Sequence, residues 1–577
     1  MAPHLSFRKL LVACTLLLFG AIPSTAQKKT ILLTALQEEL TRAFDLLNTK
    51  GDPPPYFIGY NVTETAETEI VASVGALRDS RQDVERLLDV DVRIGDYQVD
   101  NTRKLRGDRR GFSPYSYSSP VNLPLDNDLD AIKSLLWLQT DKEYRIGVQN
   151  FVQIEANRAV NVDEQDTSAD FSREPALEAL QPIMAMDVEK GVWEEKIRRI
   201  SRTFAQWPKL TRSFVLFRAT TLNKYAVNSE GTAIQHGVNH ARIFLYAVTK
   251  AEDGEELYLY RAFDAHSLEG LPNDYEVERA IKEMVDQLMA LREAPFVEAY
   301  SGPAILSGRA GGVYFHETLG HRLEGHRQKD EDGGQTFTKK VGEAILPPFV
   351  SIYDDPTIRE VNGVELNGYY HFDDEGVKAE RVPVVENGVL KNFLLSRSPV
   401  EGFTRSNGHG RRAPGRSVVG RQGNFIVTAT NSVSSGELRR LLIEECHKQN
   451  KPFGLYFEEI SGGFTFVGRF IPQFFKVTPI VVWRIWADGR PDELVRGVDL
   501  IGTPLTSISQ IIACGDDVGV FNGTCGAESG PVPVSAVSPS FLTALVEVQK
   551  KAKSTEKPPA LPAPDDDDNP SAGEQPE

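Results

Sequence analysis

His316 and His321 lie five residues apart with Glu317 directly after the first, and this spacing restricts the backbone more than any other feature of the chain. Two imidazoles beside a carboxylate form the donor set with which a helix supplies zinc ligands and a general base for hydrolysis. Residues four apart on an α-helix are about 40° out of alignment, whereas residues five apart are about 140° out and point away from each other. The pair can share a metal only if the helix departs from regular geometry between Thr318 and Gly320, as a π-bulge would make it do. Gly320 lowers the cost of such a departure by relaxing the backbone. The competing reading is two histidines used for packing or left on the surface. Histidine is scarce, 10 in 577 residues, yet three fall between positions 316 and 326.

A chain of 577 residues exceeds a single core, so two or three domains are expected. The net charge of −17 argues against nucleic acid or an anionic membrane as the main partner. At the N-terminus Arg8 and Lys9 precede an apolar run over 10–22 and a small-residue site, Ser24-Thr-Ala26. That pattern predicts a signal peptide over 1–26, too short and wrongly flanked to span a bilayer, and an exported product, periplasmic or secreted. No later apolar run is long enough to cross a membrane. Removing the leader takes Cys14 and leaves Cys446, Cys514 and Cys525, so at most one internal disulfide can form.

Hydrophobic periodicity predicts helices over 30–48 and 274–293, the latter capped by Asp274, and one or two more over 128–162. Alternating, β-branched runs predict paired strands within 56–75, continuing over 90–99, and further strands from 213 to 262. Beyond position 326, short strands punctuated by turns predominate, with a helix over 435–448. The fold class is therefore α+β. A mixed α/β N-terminal domain over 27–300 precedes an antiparallel, barrel-like or sandwich-like β-rich domain over 326–550. The tail over 551–577, rich in Pro, Ala and acids, is expected to be disordered.

Several motifs resemble, in order, the TldD side of the TldD/PmbA family of metallopeptidases. The first is Ser307-Gly-Arg-Ala-Gly-Gly-Val-Tyr-Phe-His-Glu-Thr-Leu-Gly-His-Arg-Leu-Glu-Gly325, the family's metal-binding helix, over 307–325. Asp373-Asp-Glu-Gly376, Glu386-Asn-Gly-Val-Leu-Lys391, Asn407-Gly-His-Gly-Arg-Arg412 and Ser461-Gly-Gly463 follow, then Gly497-Val-Asp-Leu-Ile-Gly502 and Asn522-Gly-Thr-Cys-Gly526 before Val532-Pro-Val534. The resemblance is collinear from about 300 to 538 and weaker before it, where 104–170 looks like an insertion. It implies a zinc ion held by His316, His321 and Cys525, one open position for water, and Glu317 as the base. It also implies cleavage of peptides or unfolded segments by Glu-assisted attack of metal-activated water, and a dimer, either homodimeric or heterodimeric with a related subunit. The alternative is a non-hydrolytic peptide-binding subunit of such a complex.

Each assignment has a plainer rival. Cys525 sits in a Gly-rich turn, where zinc ligation competes with a Cys514–Cys525 disulfide. His409, Arg411 and Arg412 are candidates for orienting substrate carbonyls, or simply a loop of solvated charges. Gly462 and Gly463 would let a peptide backbone approach closely, or merely form a bulge. His326 departs from the family pattern, which has an acidic residue near that position; an extra ligand, a substrate contact or a plain polar residue are the choices.

Overall fold

The computed structural model describes residues 29–551 except 104–119, 160–166, 330–335 and 469–471, together with the single positions 557, 559 and 561. The expected leader, nearly all of the expected tail and the parts 104–119 and 160–166 of the expected insertion thus lie outside the described residues. Among the described residues no helix is long and apolar enough to cross a membrane.

The N-terminal half is organised on long antiparallel strands. Strand β1 (Pro55–Ser73) turns at Val74-Gly75, both at positive φ, into β2 (Ala76–Ile94). The sequence reading placed paired strands within 56–75. The structure instead holds one unbroken strand there, because the Thr and Glu alternation over 63–69 contains no turn-forming residue. Its partner is the charged stretch 76–89, whose outward side chains disguise a strand. Strands β3 (Leu210–Asn228), β4 (Ala233–Lys250) and β5 (Glu256–Ala265) complete the order β2-β1-β3-β4-β5, and two short edge strands bring the sheet to seven. Helices α1 (Ile31–Lys50), α2 (Leu129–Arg158), α3 (Lys190–Ser201) and α4 (Asp274–Glu293) cover one face. There Ile70, Phe217, Ile243 and Leu245 meet Trp193, Ile197, Ile281 and Leu288 in one core, and Ile58 and Tyr60 meet Leu36 and Ile132 in another. Helix α4 is capped by Asn273, not Asp274. Glu276 lies three residues after Asn273, and the two close a capping box.

The opposite face of this sheet turns toward the C-terminal half. Lys224 pairs with Asp374, the Tyr258 hydroxyl donates to Ser461 Oγ at 2.9 Å, and that of Tyr260 donates to the Ile460 carbonyl.

The C-terminal half is β-rich and closes on itself. Strand β6 (Tyr300–Leu306) leads into helix α5 (Gly308–Thr318); β7 (Val350–Asp354), β8 (Asn424–Ala429) and helix α6 (Ser435–Lys448) follow. Then come β9 (Phe453–Phe466), β10 (Phe474–Trp486), β11 (Val498–Gly502), β12 (Ile511–Ala527) and β13 (Gly530–Lys550). Strand β6 pairs with both β9 and β13, β13 with β11, β11 with β10 and β10 with β9. That is a closed ring of five strands, the arrangement that removes exposed edges. Helix α5 is buried along its length apart from Arg309. Its Tyr314 ring lies edge-on to Phe475 at 5.5 Å, and Phe315 lies 5.2 Å from Phe541.

The helix also touches the β12–β13 hairpin backbone to backbone. A Cβ at Gly312 would stand 2.8 Å from the Ala536 carbonyl oxygen. Gly312→Ala must therefore push helix and hairpin apart; the expected loss is about 1–3 kcal/mol of stability, read as a lower midpoint in a denaturant titration against wild type.

Candidate metal centre

Ser307 caps helix α5, its hydroxyl accepting from the Ala310 N–H at 3.1 Å. The helix ends at Thr318 and not within 320–325. Leu319 turns away at φ −122° and ψ −50°, and Gly320–Arg322 forms a 3-10 turn. The departure from α geometry thus falls where the histidine spacing demands it, as a termination and not as a π-bulge. Two last-turn carbonyls, those of Glu317 and Thr318, are taken up by the Arg322 side chain, whose Nη1 donates to them at 2.9 and 3.2 Å. A cation at the negative end of a helix dipole, filling carbonyls that lack amide partners, stabilises this break. Arg322 is buried, which lowers it to about 10, so it keeps its charge at neutral pH.

Gly320 serves differently from the sequence expectation. Its φ is not positive; what requires glycine is space. A Cβ there would stand 2.0 Å from Gln422 Oε1.

After the break the two imidazoles meet, with ring centroids 4.8 Å apart. Cys525, near the end of β12, brings Sγ to 3.4 Å from His321 Nε2. One ligand atom from each of His316, His321 and Cys525 lies within 4.8 Å of the others, and all three residues are buried. Cys446, Cys514 and Cys525 are all free, so the competing Cys514–Cys525 disulfide is absent.

The thiols are electrostatically distinct. Burial pushes Cys514 up to about 12 and Cys446 to about 11. Burial also raises Cys525, but the His321 and His316 imidazoles beside it outweigh that and hold it well below the usual thiol value. Burial lowers His321, while the Cys525 thiolate and Glu324 override it and raise the imidazole well above its ordinary range.

Glu324, unassigned in the sequence reading, organises the far side of His321. Its Oε2 lies 3.2 Å from His321 Nδ1. Arg327 donates to it at 2.9 and 3.0 Å, and Arg421 Nε lies 3.3 Å away. Burial raises Glu324, and His321, Arg327 and Arg421 together hold it far below the carboxylate range. A carboxylate on Nδ1–H fixes the tautomer and leaves Nε2 for a metal. The signal available in the sequence was a Glu three residues after a candidate ligand, on one face of a turn.

Glu317 is buried against β9. A Cβ on Gly463 would stand 2.4 Å from Glu317 Cγ and 2.9 Å from Oε1. The pairing of β9 with β10 slips between Ile460 and Gly463, forming a bulge, and Gly462 faces open space. The remaining candidates are engaged elsewhere. His409 Nε2 lies 3.1 Å from Asp354 Oδ1, and Arg411 Nη1 donates to the Gln422 and Pro533 carbonyls at 2.7 Å. Arg412 lies 3.4 Å from Asp89. His326 does not join the three-residue group; it lies 3.7 Å from Glu528 and, with Glu324, forms a second cluster that Arg327 crosses.

Glu324→Gln is expected to weaken metal affinity about 10- to 100-fold while the chain stays folded, as measured by competition with a chromophoric chelator.

Known proteins share these features. Residues 300–550 match the model of the PmbA/TldA metallopeptidase C-terminal domain. A metalloprotease of Archaeoglobus fulgidus is 30% identical over 266 residues, 46% of this chain and 57% of that protein. A metalloprotease TldD homolog of Haemophilus influenzae is 27% identical over 268 residues, 45% of this chain and 50% of that one. The chain thus spans little more than half the length of these relatives. In fold it resembles TldE from Thermococcus kodakarensis, with a TM-score of 0.61 at 14% identity, over 89% of this chain and 100% of that one. Residues 300–550 are thus similar to the PmbA/TldA metallopeptidase C-terminal domain, and the chain is similar in sequence to metalloproteases, among them TldD homologs.

Proposed function

We propose that this chain is an exported zinc metallopeptidase that cleaves peptides or unfolded segments. The observation that carries the reading is the convergence of His316, His321 and Cys525 beside a buried Glu317. The residues fit a zinc ion by their chemistry. Two imidazoles and a thiol already drawn toward thiolate are borderline-soft donors, three in number, the count usual at catalytic zinc. His316 Nδ1 is buried with no hydrogen-bond partner, an orphan of the kind a site for an absent group leaves. When bound, zinc supplies a Lewis acid that polarises a carbonyl and makes water easier to deprotonate.

The rest of the chemistry falls to the chain. Glu317 takes the proton of the attacking water on a carboxylate oxygen and delivers it to the departing amine nitrogen. Gly463 confines that carboxylate from above. The bulge over 461–463, held by Tyr258 through Ser461, offers irregular backbone to which an extended peptide can add as a strand. Arg322 ties the same region together, its guanidinium reaching from the helix end to Thr465 and to the Phe466 carbonyl.

Export rests on the leader sequence alone. A homodimer, or a heterodimer with a related subunit, is part of the same proposal; the fold shared with a TldE protein supports the second form. The intact set of two histidines, glutamate and cysteine weighs against a purely peptide-binding subunit.

Metal analysis with a peptide-cleavage assay tests the reading: zinc near one per chain and cleavage of an unfolded protein are expected. Glu317→Gln should lower cleavage about 10²- to 10⁴-fold with zinc content unchanged; cleavage at the wild-type rate would refute the assigned base. Gly463→Ala should retain zinc yet lower kcat about 100-fold, because displacing a reacting group by about 1 Å has that effect.

A further inference from the structure

Strands β3 and β4 carry apolar residues on both faces, over Phe214-Val-Leu-Phe217 and Ile243-Phe-Leu-Tyr-Ala-Val248. An antiparallel sheet covered on one side ordinarily turns polar residues to the other. Here Val215, Phe217, Ile243 and Leu245 meet the helices, and the alternate residues form an apolar field on the opposite face. Its rows follow from the strand register. Phe214 lies opposite Tyr246 and Tyr246 opposite Tyr260, while Leu216 lies opposite Phe244 and Val248 opposite Tyr258. The rings stand in series. Their centroids are 5.1 Å apart for Phe214 and Tyr246, 5.5 Å for Phe244 and Tyr260, and 5.8 Å for Tyr246 and Tyr258. All five rings and Leu216 keep part of their surface open to solvent. The next row is charged and closes the field: Arg218 donates to Glu69 and Arg242 to Asp264.

The field abuts both segments that bring groups to the metal centre. The Tyr258 and Tyr260 hydroxyls donate to Ser461 and Ile460, just before Gly463, which lies against Glu317. On the rim, Arg242 Nη2 lies 3.5 Å from the carbonyl of Asn522, three residues before Cys525. Size selects the occupant. With strands about 4.8 Å apart and a two-residue repeat of about 6.8 Å, three strands by three rows cover roughly 300 Å². A stable protein–protein interface takes about 800 Å² from each partner. The field is therefore too small to hold a second copy by itself. It matches a few side chains of one extended segment, whose own two-residue repeat has the length of the row spacing. Aromatic rings bury large apolar side chains well and offer no charge to select by.

We propose that this ring field receives large apolar side chains of the polypeptide to be cleaved, so that the chain selects unfolded segments with aromatic or aliphatic residues at alternate positions. This rests on the peptide-cleavage reading above and names its substrate class.

The test uses two dye-labelled peptides of equal length and no net charge, one with Phe at alternate positions and the other with Ser there. Binding is followed by fluorescence anisotropy on the zinc-loaded full chain in a Glu317→Gln background that prevents turnover. The Phe peptide should bind about 10- to 100-fold more tightly, the effect of taking one or two large apolar side chains out of water. Phe244→Thr and Tyr246→Thr, which keep strand-forming side chains, should each reduce that preference about 10-fold with zinc content unchanged, and Phe244→Leu should retain most of it. Equal binding of the two peptides by the background protein overturns the proposal without recourse to any further variant. So does a preference that survives both Thr substitutions combined. Loss of preference together with dissociation of a dimer in sedimentation would assign the field to a second copy and overturn it as well. A wild-type chain that binds the Phe peptide in this ring-dependent way but cuts neither peptide overturns the peptidase reading and leaves the selectivity of the field standing.

Discussion

Everything at the centre of this molecule depends on the end of helix α5. Had the helix run on, the five-residue spacing would have pointed His316 and His321 to opposed faces. It stops at Thr318, and the Arg322 guanidinium replaces the amides that the last carbonyls would otherwise lack. The arrangement is self-supplied: the residue that caps the broken helix comes from the turn that the break creates. The same guanidinium reaches across to Thr465 and Phe466, so the helix end and the β9–β10 hairpin are fixed by one side chain.

The third donor is placed by a different constraint. Helix α5 packs against the β12–β13 hairpin closely enough that residue 312 has room for no side chain, and Cys525 lies near the tip of that hairpin. Behind the ligands, Glu324 is held by Arg327 and Arg421 and touches His321, while Arg421 also bonds the Cys525 carbonyl. One buried network thus orients an imidazole and the strand bearing the thiol together. Ion pairing of this kind is what makes buried charge tolerable.

How much of this was legible in sequence follows from how local each signal is. The break was readable because helical geometry converts residue spacing directly into angle, although its form, a termination with an arginine cap, needed the side chain of residue 322 placed in space. Helix 435–448 was readable from periodicity. Strand β2 was read only at its end, from 90 onward, because charged residues face solvent along 76–89, and its partner was divided in two for want of recognising that a Thr-Glu alternation can be one strand. Glu324 carried a local signal, three residues after His321, but its approach to Arg421, which also holds the Cys525 carbonyl, is encoded by no local pattern. The closure of the β ring is also non-local, since it depends on β6 pairing on both sides.

The distribution of charge around the centre narrows what can approach it. Cys525 is drawn toward thiolate and Glu317 contributes a carboxylate, while the compensating guanidinium groups of Arg322, Arg327 and Arg421 are already committed to carbonyls or to Glu324. None of those three is left aimed at an incoming anion, and a negatively charged group would meet the thiolate and the carboxylate first. A neutral main chain meets neither objection. The charge around the centre therefore weighs against an anionic ligand.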